Sequence, residues 1–201
     1  MARGGIRLSP AMRAVKEELR RAQEENERLK EALRVALEES RCDPLTSLPN
    51  RRAFDEVLEK EVARARRHSS PLVVVYADFD YLKSVNDLYG HAAGDRVIRE
   101  FGSLICSSLR SEDSCARLGG DEFALILPTT SEAQARAIVE RLASQVREHL
   151  KVTDGERSPM ASASFGYAEL IPDEEVVDFL KRVDNKLYEW KLRHRPAFRG
   201  A

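Results

Sequence analysis

The chain is almost without net charge. Lys and Arg number 33 against 34 Asp and Glu in 201 residues, a formal balance of −1. That balance speaks against a nucleic-acid-binding face and against a polybasic membrane anchor. No stretch approaches the ~20 apolar residues of a membrane span. The start, Met1-Ala2-Arg3-Gly4-Gly5, lacks the apolar segment of a secretory leader. Cysteine is scarce: Cys42, Cys106 and Cys115 form neither a CxxC pair nor a metal-ligand spacing. Cys106 lies in an apolar helical stretch and Cys115 in a strand, so both read as small core residues. An odd count without a framework fits a reducing compartment, and the chain reads as cytoplasmic.

Between Ser9 and Arg41 there is no glycine, and the one proline is Pro10, at the start. Ser9 followed by Pro10 suits a helix N-terminus. A heptad fits this stretch, with Met12, Leu19, Asn26, Leu33 and Ser40 at a, and Val15, Ala22, Leu29 and Ala36 at d. Asn26 at a central a position fixes a two-stranded parallel register, and Glu25 at g can face Lys30 at e of a partner. The seam is narrow and the other faces are charged, which favours a parallel coiled-coil homodimer over a helix packed on its own domain. The organisation is then a disordered lead-in (1–8), a dimerising helix (9–42), one domain (43–196) and a short tail (197–201).

The domain opens on the Pro-punctuated Asp43-Pro44 and Leu48-Pro49-Asn50. The pattern predicts helix over about 51–68, a strand over 71–77 ending at Asp78-Phe79-Asp80, and a short helix over 81–89. Helix follows over 94–109, then a hairpin, then a helix over 131–150 with Ser131 as N-cap. A weakly alternating strand within 160–170 and a helix within 172–193 close the domain. The order αβααββαβα suggests an α+β domain with helices on one face of a mostly antiparallel sheet.

The run Arg117-Leu118-Gly119-Gly120-Asp121-Glu122-Phe123 puts two glycines and two carboxylates at that hairpin. Glycine makes the turn cheap and lets a ligand approach the backbone closely. If Asp78 and Asp80 at the strand end lie beside Asp121 and Glu122, like charges crowd together and call for a cation. All-oxygen ligands select Mg²⁺ or Mn²⁺ over zinc, and such sites commonly hold substrate phosphates too. Asp80 could equally cap the helix that follows.

Several blocks in order carry a resemblance to the GGDEF family of diguanylate cyclases: Asp43-Pro44-Leu45-Thr46-Ser47-Leu48-Pro49-Asn50-Arg51-Arg52; Asp78-Phe79-Asp80-Tyr81-Leu82-Lys83-Ser84-Val85-Asn86-Asp87; Gly90-His91 with Gly94-Asp95; the Gly-Gly-Asp-Glu-Phe run; Ser164-Phe165-Gly166; and Asp184, Leu187-Tyr188 and Lys191. The resemblance implies a nucleotidyl-cyclase or polymerase-palm-like (ferredoxin-like) fold with surrounding helices. It implies condensation of two GTP into cyclic di-GMP and two pyrophosphates across a dimer of domains, by metal-assisted attack of a 3′-oxygen on an α-phosphorus. Carried over by position, it implies Asp78, Asp121 and the Phe79 carbonyl as metal ligands. Glu122 is implied as a further ligand or as the group that deprotonates the 3′-hydroxyl. Two Mg²⁺ or Mn²⁺ are implied per site. Gly119 and Gly120 lie against substrate, Asn86 and Asp95 read guanine, and Leu82, Lys83, Lys191 and Arg195 hold phosphate. A carboxylate at Asp95 accepts from guanine N1–H and N2–H₂, a pair that adenine lacks. His194-Arg195-Pro196 stands where the family usually has Gly-Arg-Asn, and Pro196 should stop the last helix early.

Arg110-Ser111-Glu112-Asp113 matches the family's RxxD product-inhibition motif, with Arg141 as its support. The same residues read locally as a helix end with a capped turn. The rival expectations are a non-catalytic GTP- or cyclic di-GMP-binding module and a dimerising scaffold. An upstream sensor domain is a further possible partner.

Overall fold

The computed structural model describes residues 9–39, 41–152 and 161–194. The lead-in 1–8, the seam residue Ser40, Pro196 and the tail 197–201 lie outside the described residues. The chain divides into two compact units, Met1–Ser40 and Arg41–Ala201.

In the first unit, helix α1 runs over Pro10–Glu39. Ser9 caps it: its Oγ accepts from the Met12 N–H at 3.2 Å. Glu-to-Arg and Glu-to-Lys pairs one turn apart, such as Glu31 with Arg34 and Glu27 with Lys30, line its flanks. Within one chain its heptad seam is bare: Leu19, Leu29 and Leu33 are 56%, 61% and 60% exposed.

The second unit contains α2 (Arg51–His68), β1 (Leu72–Phe79), α3 (Leu82–Tyr89), α4 (His91–Ser107), β2 (Ser114–Gly119), β3 (Glu122–Pro128), α5 (Glu132–His149), β4 (Ala163–Glu169) and α6 (Val176–His194). This is the expected order. Asn50 starts α2 by accepting from the Ala53 N–H at 3.1 Å, and Ser69 in a left-handed conformation ends it ahead of Pro71. Ser131 and Gln134 form a reciprocal capping box on α5.

The strands form one antiparallel sheet in the order β2-β3-β1-β4. Helices cover both faces, which corrects the one-face expectation. Val73, Val75, Phe123, Leu125 and Phe165 pack with Val97, Phe101 and Ile105 of α4 and Val139 and Leu142 of α5. On the other face Val74, Ala124, Ile126 and Ala168 pack with Phe54, Leu58 and Val62 of α2 and Phe179 and Val183 of α6. Burial on both faces explains why β1 and β3 read as continuous apolar runs rather than as alternation. At Gly166 a Cβ would fall 2.2 Å from the Leu187 backbone N, so glycine permits the close seating of α6 on β4.

Cys115 is buried as expected, but Cys106 is exposed. In α4 the buried residues are Gly94, Val97, Ile98, Phe101, Gly102 and Ile105. Cys106 follows the last of these and turns off that face.

Candidate active site

The C-terminal end of β1 lies beside the acidic hairpin turn. In the ladder Asp78 lies opposite Glu122 of β3 and opposite Ser164 of β4. The Phe79 N–H donates to the Asp121 carbonyl at 3.0 Å, so the hairpin turn is fastened to the strand end. Asp78 is 6% exposed. Burial pushes its carboxyl up from the usual range, Lys191 pulls it down, and the charges of Asp121 and Asp80 push it up again. Lys191 Nζ reaches Asp78 Oδ2 at 2.8 Å.

A buried carboxylate beside further carboxylates, with one lysine to balance them, suits a cation bound through oxygen. Among the described residues, however, no three His, Cys, Asp or Glu side chains already converge as ligands. The Glu122 carboxylate is exposed and faces Arg51 at 3.6 Å. The ladder thus aligns Asp78, Asp121 and Glu122 without gathering all three. The Phe79 side chain is in the core, which leaves only its backbone to the site.

Asp80 does not cap α3. Its two oxygens accept from the Ser162 and Ser164 hydroxyls at 2.7 and 2.8 Å, and its N–H donates to the Ser162 carbonyl. These serines tie the strand end to β4, a role that needed the β1–β4 register to be visible. The N-cap of α3 is Tyr81, in a left-handed conformation (φ 64°), with no side-chain cap. The N-terminus at Leu82 and Lys83 therefore offers backbone N–H groups to an anion.

Asn86 on α3 and Asp95 on α4 lie on adjoining helices. The Asn86 Oδ1 is buried without a hydrogen-bond partner. A Cβ at Gly94 would fall 1.9 Å from that oxygen. A polar atom left unpaired in this way suits a ligand's donor. Asp95 is exposed beside it.

Gly119 and Gly120 have φ of 142° and 53°, with open space where a Cβ would sit. The requirement there is conformational, a turn after an irregular register between Arg117 and Gly119. Arg117 holds the turn: its guanidinium donates to the Gly120 carbonyl at 2.8 and 3.2 Å and to Asp43 Oδ1 at 2.9 Å. Asp43 in turn accepts from the Thr46 N–H and hydroxyl. No pattern rule assigned this fastening, because Asp43 and Arg117 are far apart in the chain. Arg195 lies outside the described residues.

At the far end of α4, Arg110, Asp113 and Arg141 line one cavity of about 430 Å³ with Ser108, Gln134 and Ile138. The Arg110 N–H donates to Asp113 Oδ2 at 3.0 Å, and Arg141 donates to the Ser108 carbonyl at 2.9 Å. Burial pushes the Asp113 carboxyl up.

A sequence model of the family described as diguanylate cyclase, GGDEF domain, matches residues 40–197. The diguanylate cyclase DgcP of Pseudomonas aeruginosa is 38% identical over 157 residues, covering 76% of this chain and 23% of that protein. DgcS of Shewanella oneidensis is 35% identical over 157 residues, covering 78% and 51%. The chain therefore spans about half the length, or less, of these curated relatives. Among solved structures, the diguanylate cyclase SiaD of Pseudomonas aeruginosa, in complex with its activator SiaC, superposes with a TM-score of 0.72 at 37% identity, covering 90% of this chain and 70% of that one. The coiled coil and GGDEF domain of DgcB from Caulobacter crescentus, in complex with c-di-GMP, gives 0.73 at 29% identity, covering 90% and 96%.

Proposed function

The chain belongs to the GGDEF-domain diguanylate cyclase family, and from that premise we propose that it joins two GTP molecules into cyclic di-GMP with release of two pyrophosphates. The observation that carries the reading is the meeting of buried Asp78 with the Asp121 turn, next to the open N-terminus of α3.

Asn86 and Asp95 bind the guanine edge, the carboxylate accepting from N1–H and N2–H₂. The α3 N-terminus at Leu82, with Lys83, holds the terminal phosphates. Asp78, Asp121 and the Phe79 carbonyl would hold Mg²⁺ or Mn²⁺, with two ions expected per site. Bound there, the cation supplies Lewis acidity at the phosphates and lowers the pKa of the attacking hydroxyl. With a cation held at Asp78, Lys191 would no longer be needed to balance that carboxylate, and its ammonium would be available to phosphate. Glu122, cross-strand from Asp78 and open to solvent, takes the proton of the 3′-hydroxyl. Gly119 and Gly120 leave room for the nucleotide to approach the turn.

A domain that binds one GTP needs a second to close the ring. Pairing through α1 supplies it by raising the effective concentration of the other domain. Arg110, Asp113 and Arg141 bind cyclic di-GMP as a feedback inhibitor, the arginine donating to guanine O6 and N7.

The test is incubation of the purified chain with GTP and Mg²⁺, followed by separation of the nucleotides. Cyclic di-GMP is expected, and its absence at every protein concentration would overturn the cyclase reading. GTP retained without turnover would establish a binding module instead. Asp121→Ala should lower turnover by about 100-fold or more with the circular dichroism spectrum unchanged, and full activity in that variant would remove Asp121 from the metal site. Arg110→Ala should weaken inhibition by added cyclic di-GMP by about tenfold or more, one lost bidentate contact; an unaltered inhibition curve would sink the product-site assignment.

A further inference from the structure

Helices α5 and α6 flank β4 on its two faces. Val139 and Leu142 of α5 pack with Phe165, and Phe179 and Val183 of α6 pack with Ala168. Both helices have their early turns at the Glu169 end of the strand. The Glu132 N–H donates to the Glu169 carboxylate at 2.8 Å, and Arg182 donates to the Glu169 carbonyl at 2.7 Å. Their late turns therefore lie together, toward the strand start, where Lys191 meets Asp78. Between the two helices is a cavity of about 500 Å³, within the size range of small-ligand sites. None of the residues proposed to hold metal, guanine, phosphate or product lines it.

The floor of this cavity is aromatic. Phe165 and Tyr167 stand two apart in β4, on one face of the strand. Trp190 of α6 meets Phe165 edge-on, with ring centroids 5.9 Å apart at 80°. Phe165 is buried, while Tyr167 and Trp190 are half-buried, and all three line the cavity. The walls are charged. Arg136 and Arg147 come from α5, and Lys186 and Arg193 from α6, four cations against the carboxylates of Glu132, Glu140 and Glu189. Arg136 pairs with Glu140 at 3.0 Å, and Glu189 takes Arg193 at 3.3 Å and Lys186 at 3.8 Å. All of these side chains are exposed, and such pairs are worth little in water, so a stronger anion displaces them. Arg147 forms no ion pair among the described residues. It lies in the last turn of α5, at the end shared with Arg193 of α6.

We propose that this cavity is a second nucleotide site, which takes a purine nucleoside monophosphate. The base lies against Tyr167 and Trp190, and the phosphate is held by Arg147 and Arg193. Aromatic stacking accepts either purine, because every base presents a π-face. A guanidinium meets phosphate through two parallel N–H donors, a geometry that lysine lacks. Glu132 and Glu140 on the α5 wall are acceptors for the base N–H groups. Binding here needs neither the metal nor a second chain, so it stands apart from the cyclase reading.

Trp190 is the one tryptophan of the chain, so its fluorescence reports on the cavity. The experiment titrates the purified chain with AMP and, separately, with GMP, in EDTA to keep divalent metal from the catalytic site. Saturable quenching is expected with both. Adenosine, which lacks the phosphate, should bind about tenfold or more weakly, the scale of a lost charge-assisted contact. Arg147→Ala with Arg193→Ala should weaken AMP by a similar factor with the circular dichroism spectrum unchanged. Replacing both arginines by lysine keeps the charge and should still weaken AMP, since the paired donors are gone. Asp95→Ala, at the guanine end of the catalytic site, should leave both titrations as they were. The proposal is overturned if neither nucleotide quenches, if adenosine binds as well as AMP, or if the arginine variants bind AMP like the parent chain. A signal that disappears in Asp95→Ala would belong to the catalytic site and would overturn it too. Cyclic di-GMP synthesis is not a readout in any of these arms, so failure of the cyclase reading leaves the result unaffected.

Discussion

Gly94 shows how one missing side chain shapes the surroundings of Asn86, the residue proposed to read guanine. Glycine inside a helix costs about 1 kcal/mol relative to alanine, yet here a methyl group would meet Asn86 Oδ1 at 1.9 Å and Leu82 at 3.3 Å. Gly94→Ala should therefore raise the KM for GTP by about tenfold, one lost hydrogen bond to a buried acceptor, with kcat changed far less. Because Asn86 is the side chain displaced, the effect of Gly94→Ala should largely vanish in an Asn86→Ala background. Steady-state kinetics on the two single variants and the double variant checks this, and additive effects would show that Gly94 acts elsewhere. Lys191 is the other residue whose surroundings alter its reading. As a helical lysine it looks solvated, but in the fold it balances the buried Asp78.

Among the elements, the β2–β3 hairpin depends on a fastening outside itself. Arg117 is 12% and Asp43 16% exposed at their side chains, and the pair joins the Gly120 carbonyl to the opening connector. Arg117→Leu strands Asp43 and frees the turn. It should cost about 1–3 kcal/mol and lower the Tm by several degrees, about 2–4 °C per kcal/mol at this size. Burial alone would raise the Asp43 carboxyl, but hydrogen bonds from Thr46 and Arg117 outweigh it and hold the group below its ordinary value. A lowered carboxyl stabilises the fold above the ordinary aspartate pKa near ~4. That contribution is lost as pH falls through the lowered value. Denaturant unfolding of both proteins should accordingly show the full Arg117→Leu deficit at pH 7 and a shrinking one as the pH is taken down below the ordinary aspartate value near ~4. A deficit constant with pH would show that the ion pair contributes nothing through Asp43.

For the whole molecule, the bare seam of α1 is the feature that one chain leaves unanswered. Leu19, Leu29 and Leu33 are more than half exposed on a helix of 30 residues, and an isolated helix with an apolar stripe is marginal in water. A second copy would bury the stripe in register, with Asn26 facing its equivalent. Leu19→Lys with Leu33→Lys should yield a monomer by sedimentation. Cyclic di-GMP synthesis per chain at micromolar protein should fall by about 100-fold, the scale of a lost tethering advantage. Undiminished synthesis by a proven monomer would remove α1 from the function. Among the described residues no helix is long and apolar enough to cross a membrane.

Much of this was legible in the chain itself, because it depends on local chemistry. Helical periodicity, continuous apolar runs and turn residues marked the described helices and strands of the second unit in order. Ser9, Ser131 and the two glycines marked caps and a turn whose geometry needs no distant partner. Asp78 and Glu122 lie opposite each other in the ladder, and the Asp121 turn is fastened to the same strand end. What sequence could not show were facts of register and packing between distant segments. The double-faced sheet was missed because a run apolar on every residue has no alternation to count. Cys106 was taken for core because one turn of α4 rotates it off the buried face. The engagement of Asp80 by Ser162 and Ser164, of Asp43 by Arg117, and of Asp78 by Lys191 joins residues remote in the chain. Residue types and their order determined which chemistry the protein can hold. The tertiary structure decided which carboxylate is buried, which is bound, and which stays open to solvent, since burial and pairing exist only once the strands are in register.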